Sequence, residues 1–130
     1  MRVSLSLGSS LAKYLFKKKF LSKERFPLVL MLEVTHLCNL ACEGCGRIRE
    51  YKETMREMLS VEECIQAVDE CPAPVVTVTG GEPLMHPEID KIISAIIEKK
   101  RHIYLCTNGI LLADAIKKLK PNKYFNINIH

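Results

Sequence analysis

The chain is predicted to be a parallel α/β protein, with strands and helices alternating as they do along half of a β/α barrel. Three observations lead there. Runs of β-branched and aliphatic residues recur at residues 28–32, 75–79, 102–106 and 124–129. Between them lie segments with apolar residues at helical spacing, and each crossover is long enough for a right-handed β-α-β unit. Of 130 residues, 48% are hydrophobic and 26% charged, the composition of a globular chain with enough apolar material for one core. An open parallel sheet satisfies the same pattern.

In chain order, residues 1–25 form an N-terminal extension and residues 26–130 the α/β domain. Within residues 10–23, Leu11, Tyr14, Leu15 and Phe20 stand among Lys13, Lys17, Lys18, Lys19 and Lys23, which predicts a short basic amphipathic helix. Such a helix either lies on an anionic membrane surface or packs on the domain with its lysines in water. Residues 1–25 lack the apolar core and cleavage site of a secretory signal, so the six cysteines are expected to be reduced thiols. The expected location is the cytoplasm, with peripheral attachment to the inner face of the membrane if the basic helix binds lipid. Residues 26–32, the longest nearly apolar stretch, are too few to cross a bilayer. The net charge of +4 is small and dispersed, and Trp is absent, so nucleic acid is not expected as a partner.

The run Leu28-Val29-Leu30-Met31-Leu32 suits a strand buried on both faces, as parallel strands are. Ser60-Val61-Glu62-Glu63 is a capping box opening a helix whose Val61, Cys64, Ile65 and Val68 form one apolar stripe. Cys64 and Cys71 lie on or near that stripe, which assigns them to packing. Pro72-Ala73-Pro74 separates this helix from the second strand. A further helix begins near Pro87 and repeats Ile89, Ile92, Ile93, Ile96 and Ile97 along one face. Thr107-Asn108-Gly109 is a turn, and residues 110–119 read as the next helix. The fourth strand runs to the end at His130 with nothing after it to cover its edge, so the chain is expected to be a fragment of a longer one.

Chemistry concentrates at the ends of these strands. Cys38, Cys42 and Cys45 place three thiols in one short loop after the first strand. Such a loop can wrap three corners of a cubane cluster, one thiolate to each iron, leaving the fourth iron open. The spacing alone leaves open, as a minor alternative, a zinc knob with His36 or Cys64 as fourth ligand, which would make the protein an interaction module. Gly80-Gly81-Glu82-Pro83 follows the second strand. There the glycines allow close backbone approach and positive φ, and Glu82 sets a carboxylate at the strand's C-terminal edge. Cys106 ends the third strand at the same edge, either as a small core residue or facing the reaction.

The Cys38/Cys42/Cys45 triad followed by Gly80-Gly81-Glu82-Pro83 resembles the radical S-adenosylmethionine superfamily. The resemblance implies the N-terminal part, about four β/α strands, of a partial TIM-type (β/α)6 barrel. It also implies a [4Fe–4S] cluster on the three cysteines whose open iron is chelated by S-adenosyl-L-methionine. Reductive cleavage of that cofactor gives methionine and a 5′-deoxyadenosyl radical, with the electron coming from a donor such as flavodoxin or ferredoxin. Gly80, Gly81, Glu82 and Pro83 then meet the methionine amino group, and Asn128 and His130 stand where ribose contacts are often found. Position 44, often aromatic in the superfamily, is glycine here.

From residue 27 onward the chain is similar to a narrower branch, the adenosylhopene synthases. The matching stretches include Cys64 with the residues before it, Ala67-Val68-Asp69-Glu70-Cys71, Gly80-Gly81-Glu82-Pro83-Leu84 and Tyr104-Leu105-Cys106-Thr107-Asn108. That likeness implies addition of the radical to the terminal alkene of hopene, a hydrophobic triterpene, to give adenosylhopane for hopanoid biosynthesis. Cys106 takes the position of the hydrogen donor to the product radical. The alternative within the superfamily is a maturase acting on another substrate such as a peptide.

Overall fold

A computed structural model describes residues 5–21, 25–46 and 53–130. Helix α1 (Leu5–Phe20) precedes strand β1 (Val29–Glu33). There follow α2 (Val61–Glu70), β2 (Val75–Thr79), a 3-10 turn (Pro83–Met85), α3 (Ile89–Glu98), β3 (His102–Thr107), a short α4 (Leu112–Ala115) and β4 (Phe125–Ile129). The four strands form one sheet in the order β1-β2-β3-β4, every neighbouring pair parallel. Sequential order with parallel pairing requires each connection to cross from the end of one strand back to the start of the next.

Register divides the sheet into two faces. Leu30, Leu32, Val76, Val78, Ile103 and Leu105 point to the side that α2 and α3 cover, where they pack with Cys64, Val68, Ile92 and Ile96 in one core. On the opposite side Met31, Thr77, Tyr104 and Asn126 stand in register across the four strands. This second face is mostly polar, and it makes β1 an alternating strand. Val29 and Met31 are exposed while Leu32 is buried. The expectation of a first strand buried on both faces is therefore corrected: its Leu28-to-Leu32 run is uniformly apolar, but only one parity meets the helices.

The capping box of α2 forms as expected. Ser60 Oγ accepts from Glu63 N at 3.2 Å, and the Glu63 carboxylate accepts from Ser60 N at 2.7 Å. That contact holds the Glu63 carboxyl below its usual pKa. In α3, Ile89, Ile92, Ile93 and Ile96 are all buried, the periodicity read from sequence. The helix expected at 110–119 shortens to Leu112–Ala115. No side chain caps its N-terminus, its bonds tighten to i→i+3 at Lys117 and Lys118, and Pro121 follows.

Helix α1 starts earlier than the expected residue 10 and crosses the N-terminal end of the sheet. Leu7 is buried, Tyr14 Oη donates to Pro27 O at 2.7 Å, and Ser10 Oγ meets His102 Nε2 at 3.0 Å. His102 is fully buried edge-on against Tyr124, its Nδ1 has no hydrogen-bond partner among the described residues, and burial pushes its pKa down. The turn opposite this anchored side presents Leu5, Phe16 and Phe20 to solvent, with the two phenyl rings 5.7 Å apart. Lys23 lies outside the described residues. Among the described residues no helix is long and apolar enough to cross a membrane.

Candidate cofactor site

Pairing of β1 with β2 continues past both strands. Val34 N donates to Thr79 O at 2.9 Å, Gly81 N to Thr35 O at 2.8 Å and Glu82 N to Leu37 O at 2.7 Å. These bonds lay residues 34–37, the approach to the cysteine loop, directly on the Gly80-Gly81 backbone. A Cβ at position 80 would stand 2.4 Å from Thr35 O, and one at position 81 would stand 2.3 Å from Leu37 O and 2.5 Å from His36 O. Both glycines are therefore required by close approach. Positive φ, the second reason read from sequence, does not apply: among glycines it occurs at Gly44 and Gly109.

The same segment is braced from its other side. Leu59 N donates to Val34 O and His36 N to Glu57 O, each at 3.0 Å, and Thr35 bridges Met58. The cysteine loop then turns on Gly44, whose φ of 79° lies in the left-handed region, with Cys45 N donating to Cys42 O at 3.2 Å. A side chain at position 44 would be strained there, which gives glycine a local reason where the superfamily often has an aromatic residue.

The loop and the strand ends enclose a cavity of about 340 Å³. Four thiols line it: Cys38, Cys42 and Cys45 from the loop and Cys106 from β3. Gly81, Thr107, Asn108 and His130 contribute polar wall, and Leu40 and Met55 contribute apolar wall. All six cysteines are free thiols. Cys64, one alternative fourth ligand, is absent from this cavity: it is fully buried in the core, where desolvation pushes its thiol up to about 11. His36 does line the cavity, with Nδ1 against Thr54 O at 3.0 Å.

Three soft thiols on one concave wall are the donor set a [4Fe–4S] cubane needs, because each binds a separate iron. Among the described residues no three His, Cys, Asp or Glu side chains gather around a single metal ion. The fit to a cluster thus rests on donor chemistry and the shared cavity.

The other expected cofactor residues are distributed unevenly. Gly81 is on the cavity wall, whereas Gly80 and Pro83 are buried behind it. Glu82 is 1% exposed and off the wall, its carboxylate accepting from Leu84 N at 2.9 Å, Thr107 Oγ1 at 2.8 Å and Asn108 N at 2.8 Å. His130 lines the cavity; Asn128 lies one layer along β4, in register with Cys106. Sequence reading passed over Asn39, Thr107 and Asn108, treating the last two as turn residues. The signal was a threonine and an asparagine at the edge that carries the cysteine loop.

An α/β chain with a thiol-lined cavity at the carboxyl ends of its parallel strands defines an iron–sulfur class of β/α enzyme core. Residues 32–130 match the Radical SAM superfamily, and the chain belongs to it. The superfamily's cofactors are a [4Fe–4S] cluster and S-adenosylmethionine. Among curated relatives, GTP 3′,8-cyclase of Clostridium perfringens (strain SM101 / Type A) is 34% identical over 107 residues, covering 77% of this chain and 33% of that protein. GTP 3′,8-cyclase of Aquifex aeolicus (strain VF5) is 32% identical over 120 residues, 85% of this chain and 38% of that protein. The chain therefore spans about a third of these relatives. Among solved structures, Streptococcus suis SuiB bound to its precursor peptide SuiA superposes with a TM-score of 0.69 at 23% identity, covering 99% of this chain and 30% of SuiB. SuiB bound to S-adenosylmethionine gives a TM-score of 0.64. These likenesses establish the partial-barrel fold and leave the zinc interaction module without support. The adenosylhopene synthase branch is not among these relatives.

The two-glycine contact makes a direct test. Gly81→Ala sets a Cβ against immobile backbone and is expected to cost about 1–3 kcal/mol or more of stability and to abolish iron uptake by the full-length protein. Gly46→Ala, beside Cys45 in the cysteine loop with nothing within 4 Å of its added Cβ, is expected to leave both near wild type. Equal behaviour of the two variants in thermal unfolding and iron analysis would contradict the close-approach reading.

Proposed function

We propose that this chain is the cofactor-binding part of a radical enzyme that adds a 5′-deoxyadenosyl group to the terminal alkene of a hopene, giving adenosylhopane. Cys38, Cys42 and Cys45 hold the cluster, Gly81 borders the bound S-adenosylmethionine, and Cys106 donates the closing hydrogen atom. The observation that carries this reading is the presence of Cys106 on the wall shared with the three loop cysteines.

When bound, the cluster with its sulfonium cofactor would supply a 5′-deoxyadenosyl radical for carbon–carbon bond formation at the alkene, with the unpaired electron left on the substrate. A thiol on the same wall closes such a reaction. The Sγ–H bond of Cys106 breaks as the product C–H bond forms, and the resulting thiyl returns to thiol by taking one electron and one proton through an external donor of the flavodoxin or ferredoxin type. Leu40 and Met55 give the cavity an apolar side on which hydrocarbon can rest. A nucleotide or peptide substrate is the second reading, favoured by the names of the cyclases and of SuiB.

Cys106→Ala in the full-length enzyme separates radical formation from product closure. With hopene present, mass spectrometry is expected to show 5′-deoxyadenosine or methionine still formed while adenosylhopane is lost. An undiminished adenosylhopane yield would remove Cys106 from the role, and turnover dependent on a nucleotide or peptide instead of hopene would favour the second reading.

A lipid-soluble substrate also gives the solvent-facing stripe of α1 a use. We propose that Leu5, Phe16 and Phe20, flanked by Lys13, Lys17 and Lys19 on a helix without acidic residues, hold the protein at the cytoplasmic membrane surface. In flotation with anionic vesicles, Phe16→Asp/Phe20→Asp is expected to release protein that the wild type retains; equal retention would rule this surface out.

A further inference from the structure

The carboxylate of Glu82 is used up by the protein itself. Three neutral donors fill most of its acceptor capacity, and they come from the next turn of its own segment and from the end of β3. Thr107 Oγ1, donating to Glu82, also accepts from Gly109 N at 3.0 Å, so the β3 turn is tied at both ends. Asn108 is tied further. Its backbone N–H goes to Glu82, and its Oδ1 accepts from Ile110 N at 3.0 Å.

The second of those bonds decides which way the Asn108 amide points. Ile110 N is a donor and can meet only the oxygen, which leaves Nδ2 to face the cysteine loop. It donates there to Asn39 Oδ1 at 2.7 Å. Asn39 is the residue after Cys38, and the next backbone N–H, Leu40 N, lies 3.4 Å from Cys38 Sγ. A path of hydrogen bonds joined by short covalent links therefore runs from the buried carboxylate just after β2, through the end of β3, to the first cysteine of the loop.

We propose that Glu82 and Asn108 are positioning residues that clamp the Cys38 loop to the end of β3, so that Glu82 acts through Asn108 and Asn39 and not as a ligand of S-adenosylmethionine. This rests on the reading of Cys38, Cys42 and Cys45 as the cluster ligands. The clamp links the loop to the strand that carries Cys106, and it fixes the separation between the cluster site and the proposed hydrogen donor.

The clamp differs from a ligand role in one observable: it acts before S-adenosylmethionine binds. In full-length protein reconstituted anaerobically without S-adenosylmethionine, the rate of iron loss to a chelator and the low-temperature EPR spectrum of the reduced cluster report it. Asn108→Ala, Asn39→Ala and the double variant are each expected to lose iron about two- to tenfold faster than wild type, the range of one hydrogen bond. The double should be no worse than Asn108→Ala, because the bond that Asn39→Ala removes is already lost there along with the Ile110 N contact. Asn108→Asp is expected to stay near wild type, since one carboxylate oxygen keeps Ile110 N and Asn39 can turn its amide to donate. In Glu82→Gln an amide donor opposes Asn108 N–H, and the cofactor-free spectrum is expected to change.

Wild-type iron-loss rates in both single variants, or a double variant equal to the product of the singles, would overturn the clamp. So would a Glu82→Gln protein altered only in its affinity for S-adenosylmethionine. Should Asn108→Ala fail to fold, Asn39→Ala and Asn108→Asp carry the comparison. A wild-type protein that takes up no cluster would sink the cluster assignment itself, an outcome distinct from these.

Discussion

Two backbones in this chain lie closer together than any pair of side chains would allow, and the cysteine loop hangs from that contact. Residues 34–37 extend the parallel ladder of β1 onto Gly80 and Gly81, where Cβ atoms would stand within 2.5 Å of carbonyl oxygens. A loop of eight residues carrying three thiols has little to hold it otherwise, because Cys38 and Cys42 are exposed and no disulfide ties them. The bracing segment at residues 57–59 and the amide contact from Asn108 finish what the ladder begins. The site is thus built by extending the sheet, and its position at the carboxyl ends of the strands follows from the same hydrogen bonds that make the sheet.

The division of the sheet into two faces sets what the site can contain. One parity of every strand is consumed by the helix-covered core, which leaves the other parity outside that core. That free face carries Thr77, Tyr104 and Asn126 in one layer and Cys106 with Asn128 in the next toward the cavity. At its far end α1 closes the layer of His102. The thiol-lined cavity and the α1 contact occupy opposite ends of one polar face.

The periodic parts of this architecture were legible in sequence. The isoleucine repeat of α3, the capping box of α2 and the β-branched run of β2 each commit a segment by themselves, and the structure places them as read. The cysteine triad and the two glycines were legible as a pair of motifs. Less legible was whatever depended on a partner distant in sequence. The exposed parity of β1 is decided by which side the helices take. The burial of Glu82 is decided by Thr107 and Asn108, 25 and 26 residues away. The role of Asn39 leaves no mark in the sequence because its partner lies 69 residues on. Helix α4 was over-extended because the i→i+3 bonds that end it leave no mark in composition.

The central claim is that Cys38, Cys42 and Cys45 hold a site-differentiated [4Fe–4S] cluster against the two-glycine ledge. Anaerobic reconstitution of the full-length protein, with iron and sulfide analysis and EPR of the reduced form, tests it most directly. The expected result is about four irons and four sulfides per chain, an EPR signal that changes when S-adenosylmethionine is added, and loss of both when the three cysteines are replaced by alanine. Cluster content that survives replacement of all three, or a signal indifferent to S-adenosylmethionine, would contradict it.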